Sequence, residues 1–265
     1  MKYLFWNTNK KKVNYILLEL IVHFSCDVIA LAEYNDDIEE LMSMICNKGI
    51  RLYSVPKIAC ERLVIITKYH YEKIETFQEE SHYTIKCMPH DTLGTQIIAF
   101  VHLQSKMYAN MHDNINELQT VRKAIEDTER IVNSKKSIIV GDFNINPFEE
   151  SMVSAIGMHS LSCRKVVFRN KIRRIQNKQH YTFYNPMWNM LGDMDSPSGT
   201  YYYSKGSTLK YFWNTFDQVI IRPELIENFK LDKLKIIDCV GTIKLLDNNG
   251  IPSVSDHLPI YFEIC

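Results

Sequence analysis

Two hydrophobic rhythms alternate along the chain. Residues 2–6, 28–32, 137–140 and 216–221 are short apolar runs rich in β-branched or aromatic side chains, the pattern of buried strands. Within 10–25, Val13, Ile16, Leu17, Leu20, Ile21 and Phe24 recur at helical spacing. Residues 36–48 read as a second helix closed by Gly49, and 113–132 as a long amphipathic third with Glu117, Arg122, Glu126 and Glu129 on its polar face. Residues 50–56, 63–68, 72–77, 83–88 and 96–103 form a run of strands, and 259–264 a last one. Strands alternate with helices at both ends of the chain and stand mostly alone between, which predicts an α/β fold of two packed sheets with helices outside.

The strands share a habit of carrying a polar residue at the tip. Residues 2–6 run into Asn7, 28–32 into Glu33, and 137–140 into Gly141, Asp142, Phe143 and Asn144. His102 lies at the end of 96–103, Asp217 near the start of 216–221, and Asp256 and His257 just before the last strand. On an extended chain Asp142 and Asn144 point to one side while Phe143 turns into the core. Asn146, Pro147 and Glu149 have the pattern of an N-cap, a first and a third helical residue, so this strand is expected to turn directly into a helix. In a layered fold the tips of several strands meet at one edge, which would bring these eight side chains together.

Composition narrows the chemistry. The 265 residues suit one domain spanning 1–265, and a hydrophobic content of 46% excludes general disorder. Lys+Arg and Asp+Glu are equal at 31, so no global field attracts nucleic acid or a membrane, and anion binding must be local. One such locality is 164–178, which carries Arg173 and Arg174 among seven cations and no acid and is followed by a run of aromatics through Trp213. It reads either as a nucleic-acid contact, with Arg173 and Arg174 on phosphates, or as a solvated basic loop over an aromatic core. Seven cysteines without a C-x-x-C pair suit a reducing, cytoplasmic compartment. The most apolar helical stretch, 13–24, is interrupted by Glu19 and His23 and too short to span a bilayer.

Glu33 and the aspartates offer hard oxygen ligands with no cysteine nearby, a donor set for Mg²⁺ or Mn²⁺ rather than zinc. A hard divalent ion holding water, beside a carboxylate or histidine, is equipment for hydrolysing a phosphate ester. Either histidine taken alone is more commonly structural.

Trp6-Asn7, Leu31-Ala32-Glu33, Val101-His102-Leu103, Gly141-Asp142-Phe143-Asn144, Phe216-Asp217-Gln218-Val219-Ile220 and Ser255-Asp256-His257-Leu258-Pro259 occur in the order typical of the endonuclease/exonuclease/phosphatase superfamily, which the whole chain resembles. The resemblance implies a four-layered α/β sandwich of the DNase I type, two mixed sheets flanked by helices, and Mg²⁺-dependent cleavage of phosphodiesters or phosphomonoesters. It implies that Glu33 binds the metal with Asn7 and Asp256, that Asp142 positions or deprotonates the attacking water, that Asn144 and His102 contact the scissile phosphate, and that Asp217 orients His257. Two positions depart from the pattern. Ala32 stands where many members have Gln, and Glu61 is the acid available to pair with His102. The leading expectation is a nuclease acting on DNA or RNA, against a phosphatase or phosphodiesterase for a small molecule or lipid headgroup and, as a third class, a binding module with a dead site. The sequence leaves open the natural substrate, endo- or exo-action and oligomeric state.

Overall fold

The computed structural model describes residues 1–105, 111–192, 197–205 and 210–265. In chain order the first third carries β1 (Lys2–Asn7), α1 (Asn14–Phe24), β2 (Val28–Ala32), α2 (Ile38–Asn47), β3 (Tyr53–Ser54), β4 (Leu63–Thr67), β5 (Glu75–Glu80), β6 (Tyr83–His90) and β7 (Gly94–His102). Then come α3 (Met111–Val132), β8 (Ser137–Asp142), α4 (Glu150–Val153), β9 (Ser160–Leu161), α5 (Arg164–Arg169), β10 (Ile172–Ile175), β11 (Lys178–Tyr181) and β12 (Phe183–Tyr184). The chain ends with β13 (Tyr201–Tyr203), β14 (Phe212–Asn214), β15 (Asp217–Ile221), β16 (Lys235–Ile236), β17 (Cys239–Val240), β18 (Ile243–Lys244) and β19 (Ile260–Glu263).

Two large mixed sheets form, one in the order β16-β19-β1-β2-β4-β3 and one in the order β5-β6-β7-β8-β15-β12-β9. Their apolar runs are continuous rather than alternating because both faces of each strand are covered. In the second sheet Ile98, Phe100, Ile138, Val140, Val219 and Ile221 join the core shared with the first sheet, while Ile97, Ala99, Val101, Ile139 and Ile220 join Leu118, Val121 and Ile125 of α3 on the other side. The period of two in side-chain direction therefore sorts each strand between two hydrophobic layers. Leu17 and Ile21 of α1 and Leu41 and Ile45 of α2 complete the layer over the first sheet. The result is the expected helix-sheet-sheet-helix sandwich.

Strand direction then fixes where the tips lie. β1 runs parallel to β2, and β7 parallel to β8, whereas β4 is antiparallel to β2, β15 to β8 and β19 to β1. The C-terminal ends of β1, β2, β7 and β8 and the N-terminal ends of β4, β15 and β19 thus share one edge. Asp217 stands opposite Asp142 across the β15–β8 pair, and His102 opposite Asp142 across β7–β8.

Local structure departs from the sequence reading at several ends. α1 begins at Asn14, four residues later than expected, because Asn9 and Lys10 turn with φ of 46° and 57° and Asp36 accepts from the Val13 and Asn14 N–H groups at 2.8 and 3.0 Å. Of 50–56 only Tyr53 and Ser54 pair as a strand. The helix expected at Pro147 starts at Glu150. Asn146 is drawn elsewhere, its carboxamide oxygen accepting from the Thr215 N–H at 2.9 Å while Glu149 accepts from the Asn146 N–H at 2.8 Å. Residues 164–178 are not a loop. They form α5 and one strand of the β10–β11 hairpin.

Candidate active site

Gly141 explains why a glycine precedes Asp142. A Cβ built there would lie 1.9 Å from the Val101 carbonyl oxygen on β7, and its φ is 154°, so no larger residue lets β7 and β8 close. β8 ends at Asp142, and the chain turns at Asn144 with a φ of 52°. One Asp142 carboxylate oxygen accepts from the Asn144 backbone N–H at 2.8 Å and the other from the Asn7 carboxamide at 3.0 Å. Asn144 in turn donates its carboxamide N–H to the Leu103 carbonyl at 2.9 Å. Phe143 is fully buried, as its alternating position predicts.

The tip residues meet in a cleft of about 440 Å³, lined by Asn7, Glu33, His102, Asp142, Asn144, Asp256 and His257. Asp217 lies behind it, fully buried, with its oxygen 2.8 Å from His257 Nδ1. His257 is further fixed by its backbone N–H donating to the Ser255 hydroxyl at 3.2 Å, by its carbonyl accepting from the Trp6 indole at 2.9 Å, and by the Tyr201 ring at 4.5 Å between centroids. Its Nε2 faces the cleft, 3.8 Å from Asp142.

Electrostatics set the two histidines apart. Burial alone disfavours a charged His257, but the Asp217 and Asp142 carboxylates outweigh it and raise its pKa to about 10. Asp217 is itself raised to about 6 by burial, against the pull of His257. His102 is displaced downward, chiefly by burial, with the charges of Arg62 and His257 pushing the same way against Asp142 and Glu33. Around neutral pH one cleft therefore holds a charged imidazolium and a neutral imidazole, and groups pushed apart in this way suit opposite roles.

His102 Nε2 lies 3.5 Å from a Glu33 oxygen, and its buried Nδ1 has no hydrogen-bond partner among the described residues. Glu61 does not fill the role allotted to it. It is exposed, and its carboxylate is 3.9 Å from Lys57.

Three groups with ligating atoms within 4.8 Å of one another, Asp142, Asp217 and His257, are compact enough to surround a cation. That position is nevertheless poor for one, since all three are buried and the imidazole is held protonated by its acids. Glu33 and Asp256 open to the cleft instead, and the Glu33 side chain is 30% exposed. Asn7 keeps a lone pair on its carboxamide oxygen beyond the one that accepts from the Asn9 N–H at 3.0 Å. This oxygen set at the open edge fits Mg²⁺ or Mn²⁺.

Arg173 and Arg174 are not at the cleft. Their strand, β10, pairs with β11, whose Tyr181 lies under the Lys135 ammonium, 3.7 Å from the ring centroid, just ahead of β8. Ser137 starts β8 and Asp142 ends it, so the hairpin sits at the opposite end of the sandwich, roughly 16 Å away at the rise of a strand. The Arg173 guanidinium instead meets His159 Nε2 at 3.4 Å.

No family model matches the sequence, and no curated protein does. Solved structures match over nearly the whole chain. The 3′ phosphatase NExo from Neisseria, solved with a product DNA hairpin, is 12% identical with a TM-score of 0.57, covering 100% of this chain and 99% of that one. An endonuclease/exonuclease/phosphatase family protein from Leptotrichia buccalis C-1013-b is 16% identical with a TM-score of 0.56 and coverage of 100% and 99%. The endonuclease domain of TRAS1, a telomere-specific non-LTR retrotransposon, is 10% identical with a TM-score of 0.53 and coverage of 99% and 97%. The chain has the endonuclease/exonuclease/phosphatase fold.

Among the cleft residues that escaped the sequence reading are Arg62 and Tyr201. Arg62 precedes β4, and the antiparallel pairing of β4 with β2 sets its peptide beside Glu33, a long-range neighbourhood that no local sequence pattern marks. Tyr201 lines the cleft from the β13–β14 ribbon, on which Tyr203 and Phe212 are exposed, with the Tyr203 ring nearly parallel to that of Tyr201. The run of tyrosines carried the signal, but nothing in the sequence indicated where it folds.

Proposed function

We propose that this protein is a Mg²⁺- or Mn²⁺-dependent hydrolase of phosphodiesters in DNA or RNA. The observation that carries the reading is the pairing, within one cleft, of an acid-held, charged His257 with a neutral His102 beside open oxygen ligands. Glu33, Asp256 and Asn7 would hold the ion. When bound, such an ion lowers the pKa of water and offsets charge on a phosphoryl oxygen. Asp142, fixed through both carboxylate oxygens, positions the attacking water and takes its proton. His257 donates from Nε2 to the charge growing on the phosphate, with its other nitrogen held by Asp217. Asn144 and His102 contact the phosphate from the Leu103 side.

Nucleic acid is favoured as substrate by the β13–β14 ribbon, where exposed aromatics adjoin the cleft and Lys210 lies 5.1 Å over Phe212. The neighbours include one solved with a DNA hairpin and one named as an endonuclease. The equal numbers of acidic and basic residues favour a second reading, a small phosphate ester. Mg²⁺-supported turnover compared across single- and double-stranded DNA, RNA, bis(p-nitrophenyl) phosphate and inositol phosphates separates the two. Polynucleotides cleaved with a far higher kcat/KM than the inositol phosphates are expected, and the reverse order would replace the first reading with the second.

A further inference from the structure

Beside the cleft lies a second hollow of about 470 Å³, which shares Glu33, Arg62 and His102 with it and adds Lys10, Tyr34 and Asn35. Its construction centres on one peptide. Glu33 adopts a left-handed conformation with a φ of 49°, a strain that non-glycine residues carry where the surroundings enforce it. The enforcement comes from both sides. The Glu33 N–H donates to the Arg62 carbonyl at 3.3 Å, and the Glu33 carbonyl accepts from the Lys10 N–H at 2.9 Å and from the Thr8 hydroxyl at 2.9 Å. Two cationic residues are thus fastened to the peptide of the acid that faces the catalytic cleft.

The Arg62 side is braced further. Glu79 accepts from the Ile58 and Cys60 N–H groups at 3.2 and 3.1 Å and is itself held by the buried Lys86 ammonium at 3.1 Å, which secures the loop leading into Arg62. Both cations are nonetheless unspent. Among the described residues neither the Arg62 guanidinium nor the Lys10 ammonium forms an ion pair or hydrogen bond. Glu61 also borders the hollow, but its carboxylate faces solvent beside Lys57, and the Glu33 carboxylate lies 3.5 Å from His102 Nε2. Two free cations on a braced backbone, one of them a planar guanidinium, form a receptor for a phosphate.

We propose that Lys10 and Arg62 form a second phosphate subsite, which holds the phosphate next to the scissile one along a polynucleotide. The inference rests on the phosphodiester reading of the cleft and adds to it a length requirement. A diester flanked by a second phosphate binds better than an isolated one.

The test uses three dinucleotides, dTpdT and the same molecule with a 5′- or a 3′-terminal phosphate, titrated calorimetrically into the full chain in chelator, so that binding is read without turnover. One phosphorylated form is expected to bind at least about tenfold more tightly than dTpdT, and which one it is gives the polarity. The ratio should fall toward one in Lys10→Ala and in Arg62→Ala, and Arg62→Lys should keep part of it. Unfolding transitions near wild type would show that the variants are folded. Equal binding of all three dinucleotides by the wild type, or an unchanged ratio in a folded Lys10→Ala/Arg62→Ala double variant, overturns the subsite. Hydrolysis of bis(p-nitrophenyl) phosphate in Mg²⁺ reports separately on the phosphodiester reading. A retained ratio without hydrolysis leaves the subsite standing and removes the reaction, and hydrolysis without a ratio does the opposite.

Discussion

The strand pair β8–β15 carries a buried acid–cation arrangement at each end, and the two are built differently. At the closed end the fully buried Arg222 donates to both Glu129 oxygens at 2.7 and 3.1 Å and to the Thr182 carbonyl at 3.3 Å, and it lies 3.9 Å over the Phe183 ring. Glu129 also accepts from Ser137 at 2.7 Å and Lys135 at 3.0 Å. At the open end Asp217 holds His257 through one nitrogen while the other faces a cleft, and a buried nitrogen of the neighbouring His102 has no partner among the described residues. The same strands thus end once in a closed ion network that joins α3 to both strands, and once in groups with bonding capacity to spare. Saturation marks structure and spare capacity marks chemistry, so substitutions at the two ends should register in different measurements.

Arg222→Ala should have the largest effect. It leaves Glu129 buried and short of its main partner, and removing one member of such a pair costs about 3–5 kcal/mol. Urea unfolding should show that loss, with kcat per folded molecule little changed. A cost under about 1 kcal/mol would mean that the closed end is not the structural anchor.

His257→Ala should act in the opposite sense. Turnover is expected to fall at least about a hundredfold, the low end for a general acid–base group. Stability should change less than in Arg222→Ala, because Asp217, already raised to about 6, can take a proton and the gap opens to the cleft. Adding Asp217→Asn to His257→Ala should cost little more if the two act as a unit. Fully additive losses would show that the 2.8 Å contact is not a working pair.

Much of the open end was legible in the sequence because its residues lie at strand tips, and a period of two together with strand ends places side chains on a common edge. Asn7, Glu33, His102, Asp142, Asn144, Asp217, Asp256 and His257 all came from that logic. The closed end was not legible. Arg222 and Glu129 are 93 residues apart, and Glu129 looked like one more acid on a solvated helix face, although it is 2% exposed. Arg173 and Arg174 were misplaced for a related reason, since a run of charge shows that cations cluster but not at which end of a strand they fold. β10 leads through β11 into β12, which begins beside Arg222, and this connection carries the arginines away from the cleft.

A smaller effect is expected in pH dependence at His159, which lies against the β10–β11 hairpin. Its Nδ1 faces the Tyr181 carbonyl at 3.2 Å, which assigns the proton to Nδ1 and leaves Nε2 to accept from Arg173. Burial lowers its pKa to about 4. The folded state therefore binds this proton less readily than the unfolded chain, so the stability it contributes is present above about pH 6.5 and is lost as pH falls toward 4. His159→Asn, which tolerates the local φ of 55°, should flatten that part of the curve. An unchanged slope would contradict the assignment.

The smallest effect belongs to Arg173 and Arg174 themselves. Replacing both with Gln should leave single-stranded DNA affinity within about twofold and stability within about 0.5 kcal/mol, as for ordinary surface positions. A strong loss of affinity with a flattened salt dependence would return them to the substrate path.

The most direct test of the account is a metal titration. Protein stripped by chelator and then titrated with Mg²⁺ or Mn²⁺ is assayed on bis(p-nitrophenyl) phosphate as wild type, Glu33→Gln and Asp142→Asn. The stripped wild type should be inactive and recover saturably. Glu33→Gln should need far more metal to reach its plateau, and Asp142→Asn should bind metal nearly normally and remain slow. Full activity in excess chelator, or an equal loss of metal affinity in the two variants, would contradict it.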